Sequence, residues 1–311
     1  MTSKGATHEL AGGDRGGGAA CRRAVRRTPV MEIALVGFRR ESLEHLQHTG
    51  SFKARGAFNT LIRGPVPEAG VVAASGGNHG AAVAFAAARL GIPAQIFVPE
   101  LAGASKIALI ERTGASLTVV PGQYADALEA ALAYEARTGA MQVHAYDAPA
   151  TVAGQGTLAR EWEAQGLAAG TVLIAVGGGG LIGGSLAWWQ GARKVVAVEP
   201  ETSCSLHAAL AAGRVVDVEV SGVAANALGS RRCGDICFGL AQELRVPSVL
   251  VTDAAIVEAQ RLLWREARLL VEPAGATALA ALLSGAYVPG PGEKVAVLLC
   301  GANPVIEPFS D

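Results

Sequence analysis

The sequence is poor in charged and aromatic residues, and it lacks a surplus of either charge. Aromatic residues make up 5% of its 311 positions, charged residues make up 17%, and the formal net charge is −1. A chain without a basic surplus offers no electrostatic footprint for nucleic acid or for an anionic membrane. No apolar run approaches the length of a membrane span, and the N-terminus has no apolar signal core. We therefore predict no nucleic-acid partner and no membrane association.

Cysteine is also scarce, and its spacing lacks the pairs that bind zinc or build a disulfide framework. The five cysteines are Cys21, Cys204, Cys233, Cys237 and Cys300, an odd number without a C-x-x-C pair. Cys233 and Cys237 are four residues apart, but no second pair follows at zinc-like spacing. We predict free, reduced thiols in a cytoplasmic protein, and no zinc site.

Hydrophobic residues, at 50%, and glycine, at 40 residues, are abundant. A chain of this length and composition can bury the cores of two domains, and so many glycines indicate tight turns or close approaches of the backbone. Residues 1–25 differ from the rest because they are glycine-rich and then arginine-rich. We predict that they form a disordered tail.

Short apolar runs alternate with alanine-rich stretches from about residue 50 onward. Runs such as "GVVAAS" (70–75) and "TVLIAV" (171–176) predict buried strands, and "NHGAAVAFAAARLG" (78–91) predicts a helix. Continuous apolar strands that alternate with helices indicate parallel sheets covered on both faces. We predict an α/β fold of two doubly wound lobes with parallel-rich sheets. A ligand would lie at the carboxyl ends of the strands, in the cleft between the lobes.

Glycines follow two of the predicted strands where a helix begins. Four consecutive glycines, Gly177 to Gly180, precede Leu181, and the run from Ser75 to His79 has the same form on a smaller scale. Bare backbone N–H groups and the helix dipole hold an anion without a cationic side chain. The first run predicts a phosphate-binding cup and the second a cup for a carboxylate.

Lys53, within "TGSFKARGAFNTLI" (49–62), is the candidate reactive residue. Lysine forms Schiff bases with aldehydes, and pyridoxal phosphate is the common case. A cofactor that carries both an aldehyde and a phosphate would engage Lys53, the two cups and the amide of Asn78. As an alternative, "GGGGLIGG" matches the dinucleotide turn G-x-G-x-x-G, and Glu199 lies about 20 residues further on. That NAD-dependent oxidoreductase would leave "SFKARGA" and "SGGNHG" without a role.

Five motifs occur in order: "SFKARGA", "ASGGNHG", "VGGGGLIGG", "VEPAGATALAAL" and "LLCGAN". Over residues 27–303 the chain resembles serine/threonine dehydratases of the fold-type-II, tryptophan-synthase-β-like family of pyridoxal phosphate enzymes. The resemblance implies a lyase that converts an L-β-hydroxy amino acid, such as L-threonine or L-serine, to a 2-oxo acid and ammonia. It leaves open a β-replacement enzyme and a member that binds ligand without turnover. It also implies a homodimer.

The resemblance implies a domain arrangement and a role for each matching residue. Residues 26–43 and 142–311 would form the large cofactor-binding domain, and residues 44–141 the small substrate-binding domain. Lys53 would carry the cofactor, Phe52 would lie against its ring, Asn78 would donate to its phenolic oxygen, and Cys300 would face its pyridine nitrogen. The phosphate would be bound by the amides of Gly177, Gly178, Gly179, Gly180 and Leu181. The substrate carboxylate would be bound by Ser75, Gly76, Gly77, Asn78 and His79.

The sequence departs from the family pattern in two places. Gly76 stands where related racemases have a serine that acts as a base, so we expect little racemisation. Glu199 matches one ligand of the divalent cation found in some relatives, but Ser205 replaces a carboxylate six residues later. We therefore expect no metal site. The last motif ends close to Asp311, and we expect no C-terminal effector domain of the kind that biosynthetic relatives carry.

Overall fold

Two sheets, each with helices against it, make up the computed structural model, which describes residues 17–32, 40–102 and 104–303. The strands are β1 Val30–Met31, β2 Arg40–Leu43, β3 Val71–Ala74, β4 Ala94–Pro99, β5 Ser116–Val120, β6 Met141–Gln142, β7 Thr171–Ala175, β8 Lys194–Pro200, β9 Ser248–Val251 and β10 Val295–Leu299. The helices are α1 Gly17–Ala24, α2 Lys53–Arg63, α3 Asn78–Leu90, α4 Ala104–Glu111, α5 Tyr124–Thr138, α6 Pro149–Ala164, α7 Gly180–Trp189, α8 Ser205–Ala212, α9 Ala225–Leu228, α10 Asp235–Glu243, α11 Asp253–Ala267 and α12 Pro273–Leu283.

The larger sheet has six strands in the order β1-β2-β10-β7-β8-β9. All neighbours pair in parallel except β1 and β2, which are antiparallel. Every residue of β7 and β10 is buried, as expected for central strands that have helices on both faces. β10, the last strand in the described chain, lies between β2 and β7. The amino-terminal and carboxyl-terminal parts of the chain are therefore neighbours in this sheet.

The smaller sheet has four strands in the order β5-β4-β3-β6, all parallel. β3 is buried along its whole length, and the alanine-rich α3 packs against it through small side chains. The predicted α/β class with parallel sheets is confirmed. The domain boundaries remain a prediction; Gln142, assigned to the large domain, pairs with Val72 in the smaller sheet.

Two predictions about the chain course were wrong or incomplete. Residues 17–24, assigned to the disordered tail, form helix α1 because Cys21 and Val25 are buried against the apolar face of α2. Residues 1–16 of the predicted tail lie outside the described residues. Helix α6 was not predicted because Gly154 and Gly156 interrupt its apolar pattern. These glycines face the backbones of Arg55 and Gly184, which approach so closely that a β-carbon would overlap them.

A buried ion pair fixes helix α2, which begins at Lys53. The guanidinium of Arg55 donates to both carboxylate oxygens of Glu44 at 2.7 Å, and neither side chain is reached by solvent. Arg55 also donates to Glu161 of α6 at 3.0 Å, and the Thr28 hydroxyl donates to Glu44. Burial disfavours the charge, but the two carboxylates outweigh it and raise the pKa of Arg55. Arg55 therefore joins α2 to Glu44, in the segment before it, and to Glu161 of α6.

We predict that Glu44→Gln destabilises the protein by about 3–5 kcal/mol, because the guanidinium of Arg55 would lose its main counter-charge while still buried. Urea unfolding followed by circular dichroism measures the change. Asp217→Asn is the matched control, since Asp217 pairs with Arg232 at 2.8 Å on the surface, and it should leave the unfolding midpoint unchanged. Equal midpoints for Glu44→Gln and the wild type would show that the buried pair contributes nothing to stability.

Candidate active site

The segment that leads into Lys53 pairs with the segment that follows β10. The Phe52 amide donates to the Cys300 carbonyl at 3.1 Å, and the Ala302 amide donates to the Gly50 carbonyl at 2.8 Å. Ser51 and Gly301 form an antiparallel bridge between these two bonds. Lys53, the first residue of α2, is therefore held beside the carboxyl end of the larger sheet.

The amine of Lys53 lies in a setting that disfavours its charge. Its Nζ donates to the Ala145 carbonyl at 2.8 Å and lies 5.3 Å from the centroid of the Phe52 ring. Burial lowers the pKa of Lys53 to about 8, although Cys300 and Glu272 partly offset this effect. A larger share of neutral amine is then present near neutral pH than for a lysine in water. Neutral amine is the form that attacks an aldehyde or accepts a proton.

The glycine cup lies between β7 and α7. Gly179 caps the helix with φ 93°, a left-handed conformation that glycine adopts without strain, and its carbonyl accepts the first helical bond, from Gly183. The amides of Gly180, Leu181 and Ile182 consequently have no acceptor within the helix. A β-carbon on Gly178 would lie 2.3 Å from the Tyr146 ring, so only glycine allows the ring to lie this close. Phosphate binding by this cup stays a prediction.

A loop after β6 connects the cup to the lysine, and sequence reasoning missed it. Ala145 accepts the hydrogen bond of Lys53, while the next residue, Tyr146, lies against Gly178 and donates through its hydroxyl to the Arg232 carbonyl at 3.3 Å. His144 holds the loop in shape, since its Nδ1 accepts the amide of Asp147 at 2.9 Å. The sequence signal that could have identified this loop as part of the site is its position after a strand, since ligands bind at the carboxyl ends of parallel strands.

The second cup lies at the start of α3. Gly77 caps the helix, and its amide donates to the Ser75 hydroxyl at 3.1 Å. Its carbonyl accepts the first helical bond, from Ala81, so the amides of Asn78, His79 and Gly80 have no acceptor within the helix. His79 is buried, and its Nε2 bonds to the Val143 carbonyl at 2.8 Å. Burial, with the nearby charge of Lys53, lowers the pKa of His79 to about 3. The ring is therefore neutral and serves to fix the helix start.

Asn78 and Cys300, predicted to contact a cofactor, lie close to Glu272. Asn78 Nδ2 donates to Glu272 Oε1 at 2.5 Å. The Cys300 thiol donates to the Ala274 carbonyl at 3.3 Å, and burial, with the neighbouring Glu272, raises its pKa well above the usual range. Cys300 is consequently a thiol, not a thiolate. Glu272 is buried at the start of α12.

Glu199 cannot bind a ribose, which removes the support for the NAD-dependent alternative. It is fully buried, and its two oxygens accept the amides of Leu206 and His207 at the start of α8, at 2.9 and 2.7 Å. Ser205, at the position of the missing carboxylate, donates to the Gly177 carbonyl at 3.2 Å. Within residues 17–32, 40–102 and 104–303, no group of three or more His, Cys, Asp or Glu could hold a metal ion.

These groups fit a ligand that carries an aldehyde and a phosphate. The glycine cup supplies first-turn amides and a helix dipole for the phosphate. Lys53 supplies an amine whose pKa is lowered, and one loop, residues 144–148, touches both the cup and the lysine. The start of α3 supplies a second set of amides for a carboxylate.

None of the described helices is long and apolar enough to cross a membrane.

Comparison with known proteins agrees with this chemistry. The family model described as "Pyridoxal-phosphate dependent enzyme" matches residues 22–301. The L-threonine ammonia-lyase of Thermotoga maritima is 38% identical over 266 residues, which are 84% of this chain and 66% of that protein. The phenylserine dehydratase of Ralstonia pickettii is 36% identical over 267 residues, 84% of this chain and 81% of that protein.

A solved structure shows the same fold. The threonine deaminase from T.th. superposes with a TM-score of 0.85 at 34% sequence identity, over 96% of this chain and 99% of that one. The chain spans just under two thirds of the length of the Thermotoga maritima protein, and 60% of the biosynthetic L-threonine dehydratase of Escherichia coli.

We predict that an amine-acylating reagent labels Lys53 of the cofactor-free protein with a half-maximal rate near pH 8, because only the neutral amine reacts. Peptide mapping by mass spectrometry measures the rate at each lysine. Lys194 is the internal control: its bond to the Tyr287 hydroxyl raises its pKa, so its labelling should rise only at higher pH. Parallel pH profiles for the two lysines would contradict the prediction.

Proposed function

Because this chain belongs to the family of pyridoxal-phosphate-dependent enzymes, we propose that it is a lyase that removes water and ammonia from an L-β-hydroxy amino acid. L-Threonine and L-serine are the proposed substrates, and the products are a 2-oxo acid and ammonia. The observation that carries the proposal is the Lys53 amine, which has a pKa of about 8 and lies beside a loop that touches the glycine cup. The threonine ammonia-lyases and the phenylserine dehydratase among the similar proteins support the reaction class.

The chain offers a group for each part of the cofactor. When bound, pyridoxal phosphate supplies an aldehyde that condenses with an amine and a ring that stabilises negative charge at the α-carbon. In our proposal the amides of Gly177, Gly178, Gly179, Gly180 and Leu181 hold the phosphate. Phe52 lies beside the ring, the Asn78 amide donates to the phenolic oxygen, and Lys53 binds the aldehyde. The first-turn amides of α7 and the proximity of Phe52 to Lys53 support this arrangement.

Lys53 also acts as the base in this proposal. An amine whose pKa lies near 8 can accept the α-proton at Nζ. Because its desolvated site disfavours the charged form, the amine does not keep that charge permanently. The start of α3, from Ser75 to His79, binds the substrate carboxylate in this proposal. The Ser75 amide donates to the Phe97 carbonyl and the Gly77 amide to the Ser75 hydroxyl, so the first-turn amides from Asn78 onward are the donors that support this role. Gly76 offers no side chain on this side, and a β-carbon there would lie 2.2 Å from Ala102. The absence of a second base at Gly76 supports the expectation of little racemisation.

The Cys300 thiol favours elimination over transamination in this proposal. A thiol with a raised pKa is a poor acid toward a pyridine nitrogen, and its proton is already donated to the Ala274 carbonyl. Cys300 would thus offer the ring nitrogen no effective proton donor, and the cofactor would then stabilise negative charge at the α-carbon less, which would favour prompt loss of the β-hydroxyl.

The proposal also covers the substrate side chain, the oligomeric state and the cellular location. Small residues near the cups admit serine or threonine, and also a 3-aryl serine or 3-hydroxyaspartate. A β-replacement reaction uses the same groups and becomes an outcome of the substrate assay. We also propose that the protein is a homodimer and that it is located in the cytoplasm. The five free cysteines support a reducing compartment, and light scattering after size-exclusion chromatography tests the dimer.

We predict that the purified protein gains a visible absorbance band with pyridoxal phosphate and releases ammonia and a 2-oxo acid from at least one L-β-hydroxy amino acid. The panel is L-threonine, L-serine, L-threo-phenylserine and 3-hydroxyaspartate. Lys53→Met should lose the band and lower kcat by about 10³-fold or more, because no amine remains to bind the aldehyde or take the proton. Mass spectrometry after borohydride reduction should find the cofactor on Lys53.

Lys294→Met is the matched control because Lys294 lies outside the site, before β10, and it should keep the band and the activity. A protein that stays colourless and carries no adduct on Lys53 would contradict the proposal. Turnover only in the presence of an added nucleophile would instead identify a β-replacement enzyme. Binding of the cofactor without turnover of any amino acid would contradict the lyase.

We predict that Cys300→Asp raises the share of turnovers that end in transamination, or abolishes elimination, because a carboxyl group can protonate a pyridine nitrogen. Cys300→Ser is the control. It replaces the S–H donor to the Ala274 carbonyl by an O–H donor, and its product ratios should be like those of the wild type. The ratio of 2-oxo acid to the amine form of the cofactor measures the effect. An unchanged ratio in Cys300→Asp would remove Cys300 from the explanation.

A further inference from the structure

Asn303, four residues after β10, links the lysine segment to Asn78. Its Nδ2 donates to the Thr49 carbonyl at 2.7 Å and to Asn78 Oδ1 at 2.7 Å. Asn78 Nδ2 in turn donates to Glu272 Oε1 at 2.5 Å. Three side chains thus form one chain of hydrogen bonds, from a backbone carbonyl at one end to a carboxylate at the other.

The two ends of this chain determine the orientation of both amides. The Thr49 carbonyl can only accept, so Asn303 must direct its NH₂ group toward it. The same NH₂ group then has its second hydrogen for Asn78, which must present its oxygen. The NH₂ group of Asn78 is therefore directed to the opposite side, where an oxygen of Glu272 accepts from it. If the Asn303 amide were rotated by 180°, its oxygen would face the Thr49 carbonyl oxygen. If the Asn78 amide were rotated, its NH₂ group would face the NH₂ group of Asn303.

We propose that Asn303 is a positioning residue that holds the Asn78 amide with its NH₂ group toward the cofactor. This inference rests on the proposed function, in which Asn78 donates to the phenolic oxygen. One hydrogen of the Asn78 NH₂ group goes to Glu272, and the other is the donor for the cofactor. Without Asn303, the Asn78 oxygen would lose its donor, and Glu272 alone would orient the amide.

Asn303 acts at the lysine as well. Thr49, whose carbonyl it binds, has φ 57°, a left-handed conformation that is uncommon for threonine and needs support from its surroundings. The next carbonyl, that of Gly50, accepts the Ala302 amide at 2.8 Å. The turn before Lys53 is thus held by residues 302 and 303, and the same Asn303 amide sets the turn and the Asn78 rotamer.

Asn303→Asp is the sharpest test because it keeps the shape and replaces the NH₂ group by an oxygen. The new carboxylate cannot donate to Asn78, which would turn its own NH₂ group toward that carboxylate and its oxygen toward the cofactor. We expect the dissociation constant of pyridoxal phosphate to rise about tenfold or more, as for loss of one buried hydrogen bond and its replacement by two facing acceptors. We also expect the absorbance maximum of the holoenzyme to shift, because the donor to the phenolic oxygen is lost.

The Asn78→Ala background separates positioning from a direct effect of the new charge. If Asn303 acts through Asn78, Asn303→Asp should no longer shift the absorbance maximum once Asn78 is alanine, and only the loss of affinity that comes from the Thr49 turn should remain. A shift of the absorbance maximum that persists in that background would be a direct effect of the introduced carboxylate and would overturn the inference. Gln242→Glu, an exposed amide-to-carboxylate change on α10, is the control and should match the wild type.

Asn303→Ser serves if Asn303→Asp fails to fold, since a hydroxyl retains one donor and should give a smaller rise in the dissociation constant than Asn303→Ala. Equal constants for wild type, Asn303→Ala and Asn303→Ser would overturn the inference. A wild-type protein that binds no pyridoxal phosphate contradicts the proposed function itself. A wild type that binds the cofactor, with an Asn303→Asp variant of unchanged affinity and spectrum, contradicts only the role of Asn303.

Discussion

The contact between residues 50–52 and residues 300–302 is the constraint from which the arrangement of the site follows. It joins the turn before Lys53 to the end of β10 through two backbone bonds and a bridge. Lys53, Cys300 and Asn303 thereby meet although about 250 residues separate the first from the other two. Backbone pairing fixes position more firmly than side-chain contacts alone, because each peptide group has one donor and one acceptor to satisfy.

Close approaches between backbones produce the rest of the geometry. Helix α6 lies between α2 and α7, and Gly154 and Gly156 let their backbones come near Arg55 and Gly184. Tyr146 takes the space that a side chain on Gly178 would occupy. These glycines therefore bring three elements into one site: the helix that carries Lys53, the helix that begins at the glycine cup and the loop that contains Tyr146.

The sequence predicted the fold class, strands at β3 and β7, helix α3, and glycines at the starts of α3 and α7. Those predictions depended on local signals: strand-length apolar runs, and glycines that mark helix starts. It did not predict α6, whose glycines act through neighbouring helices, or α1, whose burial depends on α2. It gave no role to the loop at Tyr146 and did not pair Glu272 with Asn78, because these residues gain their partners only through tertiary contacts, with Gly178 and Asn78. The Glu44–Arg55 pair was invisible for the same reason.

The central place of β10 in the larger sheet has a consequence for biosynthesis. A chain that emerges from the ribosome can form the smaller sheet early, since all its strands lie within residues 71–142. The gap between β2 and β7 can be filled only after residue 299 has been released, and Lys53 finds its backbone partners only then. A prematurely terminated chain would therefore expose two unpaired strand edges and a lysine without its site. Such fragments would be substrates for chaperones and proteases instead of partially active enzymes.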